Sequence, residues 1–368
     1  MFIPFITAII AAFGVSFCCG FVVRKIGPKF GLIDKPGHRK VHDKPMPTGG
    51  GLAVWSGVVI PFAIAQLVLF VVIAYKNDDA ALLWIPDFVR THLGGLWLQS
   101  GKLWLLLGLG SILVVLGTLD DRFNLSWKLR IIVQIVVAIA AVCSGFRASV
   151  FIDFSAFTGF LSVVWIVMLI NSFNMLDNMN GLSCGVALIC SAFLAAVMLL
   201  TPDPTTNNPQ FFVGGLLLVL IGAMLGFFCH NNPFRAKMFM GDGGAYFIGF
   251  MLACSTLTAT FAGYDGRRET LFAPLLILAV PIYDTVSVVL IRLRQGRSPF
   301  QGDKSHFSHR LTDRGFSKPQ SVLVIYLTTT ICAAGSLLLY QVDFTGATLV
   351  FAQTVMILIL IAILEIQK

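Results

Sequence analysis

The chain is short of charge. Among 368 residues only 12% are Asp, Glu, Lys or Arg, about half the share of a soluble globular domain. Long polar tracts, low-complexity runs and internal repeats are missing too, which leaves no place for a separate water-soluble domain or a solenoid. The eight cysteines form no Cys-x-x-Cys pair, and all lie in or beside apolar runs. They read as packing thiols rather than a zinc site or a disulfide framework. Histidine is scarce, at six residues.

What is abundant is hydrocarbon. Hydrophobic residues make up 57% of the chain and mean hydropathy is +0.86. Eleven apolar runs approach the roughly 20 residues that cross a bilayer as helix: 2–23, 49–74, 102–119, 129–146, 159–174, 182–201, 211–229, 244–262, 272–293, 321–340 and 346–366. An all-α polytopic membrane protein of 10–11 transmembrane helices follows, because backbone in lipid must satisfy its own hydrogen bonds. If the 24–48 loop is cytoplasmic and the spans alternate, 20 of the 26 Lys and Arg fall on the cytoplasmic side. That asymmetry predicts an outside N-terminus and a cytoplasmic C-terminus. The first run lacks a preceding basic residue and is followed by Arg24 and Lys25, so it reads as an anchor rather than a cleaved signal. The net charge of +8 suits anionic headgroups and phosphate ligands better than nucleic acid.

The polar residues collect in five connections on the predicted inner side: 24–48, 120–130, 171–182, 230–244 and 292–320. In GTLDDRFNLSWKLR (117–130), Asp120 and Asp121 end an apolar run. A helix terminus meeting water would look the same, but two adjacent carboxylates repel unless they face a cation or accept a proton. Lys128 and Arg130, a turn or two on, are candidates to counter that charge or hold a phosphate. NSFNMLDNMNGL (171–182) puts Asn171, Asn174 and Asn178 on one helical face with Asp177 beside them. Interhelical hydrogen bonding is one reading; a wall for a hard cation or a ligand is the other. MFMGDGG (238–244) places Asp242 among glycines at a predicted helix N-terminus, where backbone N–H groups can meet an anion, and Phe239 is poised either to stack on a base or to anchor in lipid. SPFQGDKSHFSHRL (298–311) carries His306, His309 and Arg310, with no further soft ligands at zinc spacing, so a cationic clamp on phosphates fits better. Asp284 lies inside an apolar run, a functional candidate by position or the partner of a basic residue on a neighbouring helix.

Taken in order, PTGGG, DDRF, NSFNMLDNMNGL, FMGDGG and SPFQGDKSHFSHRL resemble the polyprenyl-phosphate N-acetylhexosamine-1-phosphate transferase family, of WecA/TagO and MraY types, over roughly residues 24–315. The resemblance implies Mg²⁺-dependent transfer of a sugar 1-phosphate, GlcNAc-1-phosphate by preference, from a UDP-N-acetylhexosamine to undecaprenyl (polyprenyl) phosphate, with release of UMP. It implies a site on the cytoplasmic face of a bacterial inner membrane, contact with membrane lipid, and the opening membrane step of envelope polysaccharide synthesis. Mn²⁺ would be a substitute metal and a homodimer a candidate assembly. By the same resemblance Asp242 and Asn174 are the metal residues; Asp120, Asp121, Lys128 and His309 are catalytic; Asp177, Asn180, Asn232, Phe239, His306 and Arg310 bind substrate. Two departures stand out: Asn180 replaces an acid in DNMNG, and Ser308 replaces a middle His in HFSH, which argues against the MraY branch. The layout suits direct in-line attack by the lipid phosphate, with Asp120 aiding deprotonation, or a covalent route through Asp121. A phospho-MurNAc-pentapeptide transferase and a membrane transporter are the rival functions.

Overall fold

The computed structural model describes residues 2–34, 45–74, 87–148, 154–203, 206–261, 268–299, 303 and 305–365. Parts of two expected site loops, 35–44 and 300–302 with 304, lie outside them. The described helices are α1 (Phe2–Ile26), α2 (Gly50–Ala74), α3 (Asp87–Phe123), α4 (Trp127–Cys143), α5 (Ser155–Leu176), α6 (Leu182–Leu200), α7 (Phe211–Phe228), α8 (Gly241–Thr258), α9 (Ala273–Ile277), α10 (Ala279–Arg294), α11 (Phe307–Asp313), α12 (Lys318–Leu338) and α13 (Phe344–Glu365). Eight are long and apolar enough to cross a membrane, and the bent stretch Glu269–Ile277 with Ala279–Arg294 makes a ninth. The two remaining expected spans are the helices α4, of 17 residues, and α8. The chain is an all-α, multi-pass membrane protein.

Burial sorts the helices by sequence. α8 is enclosed by α2, α3 and α5, with every residue from Gly243 to Thr256 buried. By contrast α13 is nearly all aliphatic and buries only Ala347, Thr354 and Glu365. An apolar helix with lipid around it has no reason to hide its side chains.

Close approach around α8 rests on glycine. A Cβ on Gly117 of α3 would sit 2.2 Å from the Gly243 nitrogen, and one on Gly51 of α2 would sit 2.2 Å from the Gly244 nitrogen. The α9–α10 bend of 68° also has a local cause. Pro281 has no N–H to offer the carbonyl of Ile277 four residues back. That carbonyl is instead taken by the Cys190 thiol at 3.1 Å.

The 45–51 segment docks beside α8. A two-residue antiparallel ladder pairs Ile33 with Pro47 and Asp34 with Met46. Phe239 N then donates to Pro47 O at 2.8 Å, Gly50 N to Phe239 O at 3.0 Å and Gly51 N to Met240 O at 2.8 Å. The ends of α1, α3, α5, α7 and α10 and the starts of α2, α4, α6 and α8 meet at one end of the bundle.

Candidate active site

The acid pair sits where α3 stops. Asn124, at φ +52° in the left-handed region, reverses the chain, and Leu125 N donates to Asp120 Oδ1 at 2.8 Å. Ser126 caps α4 through Leu129 N, which brings Arg130 back over the acids one turn later. Its Nη1 lies 2.7 Å from Asp120 Oδ2 and 3.7 Å from Asp242 Oδ2. Asp120 is almost wholly buried, and the Tyr246 hydroxyl, on the α8 face one turn past Asp242, donates to Oδ2 at 3.5 Å. Lys128 is exposed, its ammonium 5.9 Å from the Trp127 ring centroid. Arg130 is the cation placed among the acids.

Asp242 faces them from α8. Asn174 Nδ2 donates to its Oδ1 at 2.7 Å, and its own N–H donates to Asp121 Oδ1 at 3.2 Å. Asp177, the residue that ends α5, takes the Gly241 N–H. Burial and the charge of Asp242 push the Asp177 carboxyl up to about 8, against the pull of that N–H. The first amides of α8 are thus engaged by the protein's own carboxylates. The glycines of GDGG serve helix contact: Gly243 and Gly244 meet α3 and α2, and a Cβ on Gly241, at φ +75°, would meet Asp121 Oδ2 at 2.2 Å. Asn171 bonds Gln134 of α4 at 2.6 Å, which makes it interhelical glue.

The 230–240 segment forms one wall. Asn232 Oδ1 accepts from Phe234 N at 3.1 Å and Arg235 N at 2.8 Å, so that side chain closes its own turn. Phe239 is half-buried and bracketed by the 47–50 backbone. Asn180 is half-buried on the turn that opens α6. Asn231 was not anticipated: buried, it accepts from Gly181 N at 2.5 Å and donates to Met238 O at 2.7 Å, joining that turn to the FMGD segment. Tyr326 of α12 braces the same turn through Gly181 O at 2.6 Å. Tyr246 had a readable signal, four residues after Asp242 on one helix face; Asn231 and Tyr326 had none beyond their type.

The last loop folds back onto α10. Asp284, fully buried, accepts from His306 Nδ1 at 3.0 Å and Phe307 N at 2.6 Å. The basic partner envisaged for it is a histidine of this loop. Ser308 Oγ donates to Asn178 Oδ1 at 2.5 Å, which fixes α11 to the segment bearing Asn174 and Asp177. His309 is half-buried, its ring centroid 6.4 Å from that of His306. Arg310 turns away, with Nε on Glu365 Oε2 at 2.9 Å. Arg292 is likewise occupied, by Pro299 O and Asp303 Oδ1.

A continuous path of contacts therefore runs from Asp120 through Arg130, Asp242, Asn174, Asp177 and Asn178 to Ser308 beside His309. Among the described residues no three His, Cys, Asp or Glu side chains form a ready cation cage. A cavity of about 430 Å³ between α2 and α3, lined by Phe70, Trp97 and Trp104 among others, is no part of this site. Trp104 is 16 residues before Asp120 on α3, roughly 24 Å at 1.5 Å per residue.

Three relatives and a family profile match the chain. The profile of glycosyl transferase family 4 covers residues 103–260. A probable undecaprenyl-phosphate N-acetylglucosaminyl 1-phosphate transferase of Bacillus subtilis is 31% identical over 86% of this chain and 80% of its own length. The undecaprenyl-phosphate alpha-N-acetylglucosaminyl 1-phosphate transferase of Escherichia coli K12 is 30% identical, over 85% and 78%. That of Yersinia pestis is 31% identical, over 89% and 82%.

Proposed function

This chain belongs to the polyprenyl-phosphate N-acetylhexosamine-1-phosphate transferases, membrane phosphotransferases of glycosyl transferase family 4, and on that premise we propose its reaction: transfer of N-acetylglucosamine 1-phosphate from UDP-N-acetylglucosamine to undecaprenyl phosphate, releasing UMP, at the cytoplasmic face of a bacterial inner membrane. The observation that carries this reading is the meeting of Asp120, Asp121, Asn174, Asp177 and Asp242 with Arg130 at one bundle end. A water-soluble diphosphate and a lipid phosphate meet only where helices end. Phosphoryl transfer asks the protein chiefly to position reactants and neutralise charge.

The donor set suits Mg²⁺, with Mn²⁺ in reserve. It is all oxygen and amide, and Mg²⁺ is commonly held by one or two carboxylates together with substrate phosphates and water. A site without a three-acid cage fits that habit. Asp242 would hold the ion, with Asn174 fixing the carboxylate, and the ion would neutralise charge on the diphosphate.

The protein's own groups divide the remaining work. Asp120 has both oxygens engaged, by Leu125 N and Arg130, which makes it a holder of Arg130 rather than a strong base. Little base help is needed, since a phosphate monoester's second pKa is about 6. Arg130 meets the incoming phosphate. Phe239 and Asn180 line the wall for the nucleobase, and His306 and His309 the sugar–diphosphate side. Attack is direct and in line; a phosphorylated Asp121 trapped with donor alone would replace it by the covalent route.

The deciding assay measures UMP release by purified protein in detergent with undecaprenyl phosphate and a panel of UDP-sugars. UDP-N-acetylglucosamine is expected to lead. Preference for UDP-MurNAc-pentapeptide would move the chain to the other branch, and no UMP from any donor would end the reading.

A further inference from the structure

Arg310 lies in the loop that carries His306 and His309, yet its guanidinium is spent on the protein. Nε donates to Glu365 Oε2 at 2.9 Å, Nη2 to Ser287 Oγ at 3.0 Å, and Nη1 to the Ser305 carbonyl. Tyr283 OH donates to the same Glu365 oxygen at 2.8 Å, and its ring centroid lies 6.0 Å from the guanidinium carbon. Three elements thus converge on one cation: α10 through Tyr283 and Ser287, α11 through Arg310, and α13 through Glu365.

Glu365 is out of character for its helix. It is the only acid in FTGATLVFAQTVMILILIAILE, and α13 is otherwise lipid-facing. A carboxylate beside lipid is costly unless partnered, and this one is buried, at 8% exposure, with one oxygen given wholly to Arg310 and Tyr283. With Ala347 and Thr354 it forms a single buried stripe, spaced by seven and eleven residues, that seats α13 on the bundle.

We propose that Glu365 is a positioning residue for the transferase site: by clamping Arg310 it sets α11, and so His309, from the far end of the chain. The link is short. Four residues of α11 are engaged in sequence: Phe307 and, just before it, His306 on Asp284, Ser308 on Asn178, and Arg310 on Glu365. Loosening the last leaves His309 between one fixed and one free neighbour. The proposal rests on the transferase reading for its kinetic consequence, and on geometry alone for its structural one.

The test uses full-length protein with Glu365→Gln and the milder Glu365→Asp. Amide hydrogen exchange over 307–313 is expected to quicken at least tenfold in Glu365→Gln while 241–258 stays unchanged. KM for UDP-N-acetylglucosamine is expected to rise about fivefold, KM for undecaprenyl phosphate to stay within twofold, and Glu365→Asp to recover part of both effects. A merely damaged fold lowers the active fraction without moving one KM alone. Unchanged exchange in 307–313 in both variants, or both KM values shifting together, overturns the proposal. An inactive wild-type chain would count against the transferase reading alone, since the exchange result stands without turnover.

Discussion

At the scale of single residues, the site is a problem of like charges made tolerable. Four carboxylates, Asp120, Asp121, Asp177 and Asp242, lie within reach of one guanidinium, two α8 amides and one Asn amide. Removing Asp242 takes away the proposed metal ligand, so Asp242→Ala is expected to lower kcat at least a thousandfold, about 4 kcal/mol of transition-state stabilisation. UMP release at saturating Mg²⁺ checks it, and recovery of the rate with added metal would move the ligand elsewhere. Arg130 and Lys128 separate what spacing alone leaves open. Arg130→Ala is expected to cost at least a hundredfold in kcat, about 2.7 kcal/mol, whereas Lys128→Ala costs less than fivefold. Equal losses in the same assay would return the phosphate contact to Lys128.

Among helices, glycine decides how α8 sits. The motif FMGDGG was legible as a site, but its glycines suggested close approach to a ligand, and they instead admit two neighbouring helices. Pairwise alternation along one chain carries no record of which other helix comes near, so this role lay beyond sequence reading. Gly117→Ala forces a methyl group to 2.2 Å from backbone, where no side chain can rotate aside. Overpacking of this kind typically costs 1–3 kcal/mol, and a lower unfolding temperature in detergent with a loss of activity is expected. Gly94→Ala, with nothing within 4 Å, is the control. A Gly117→Ala protein as stable and active as wild type would show that α3 and α8 stand further apart.

For the whole molecule, the question is which end of the bundle faces the cytoplasm. The site-bearing loops hold most of the Lys and Arg, and positive charge is retained on the cytoplasmic side. An epitope tag after Lys368 is therefore expected to be cleaved by external protease in inverted membrane vesicles and protected in right-side-out ones. The reverse pattern would put the site on the outer surface and remove access to a nucleotide-sugar pool.

Read alone, the amino-acid order determined the apolar spans, because a helix in lipid announces itself by length and composition, and it marked the loops where chemistry collects, because polar groups beside hydrocarbon need a reason. Distance along the chain could not say which of those groups touch. That Arg130 rather than Lys128 reaches Asp120, that Asn174 grips Asp242 sixty-eight residues on, that Asn171 is glue, and that Arg310 answers to Glu365 were all decided by tertiary structure. Each depends on which helix faces bring two distant side chains within 3 Å, a relation created only when the helices pack.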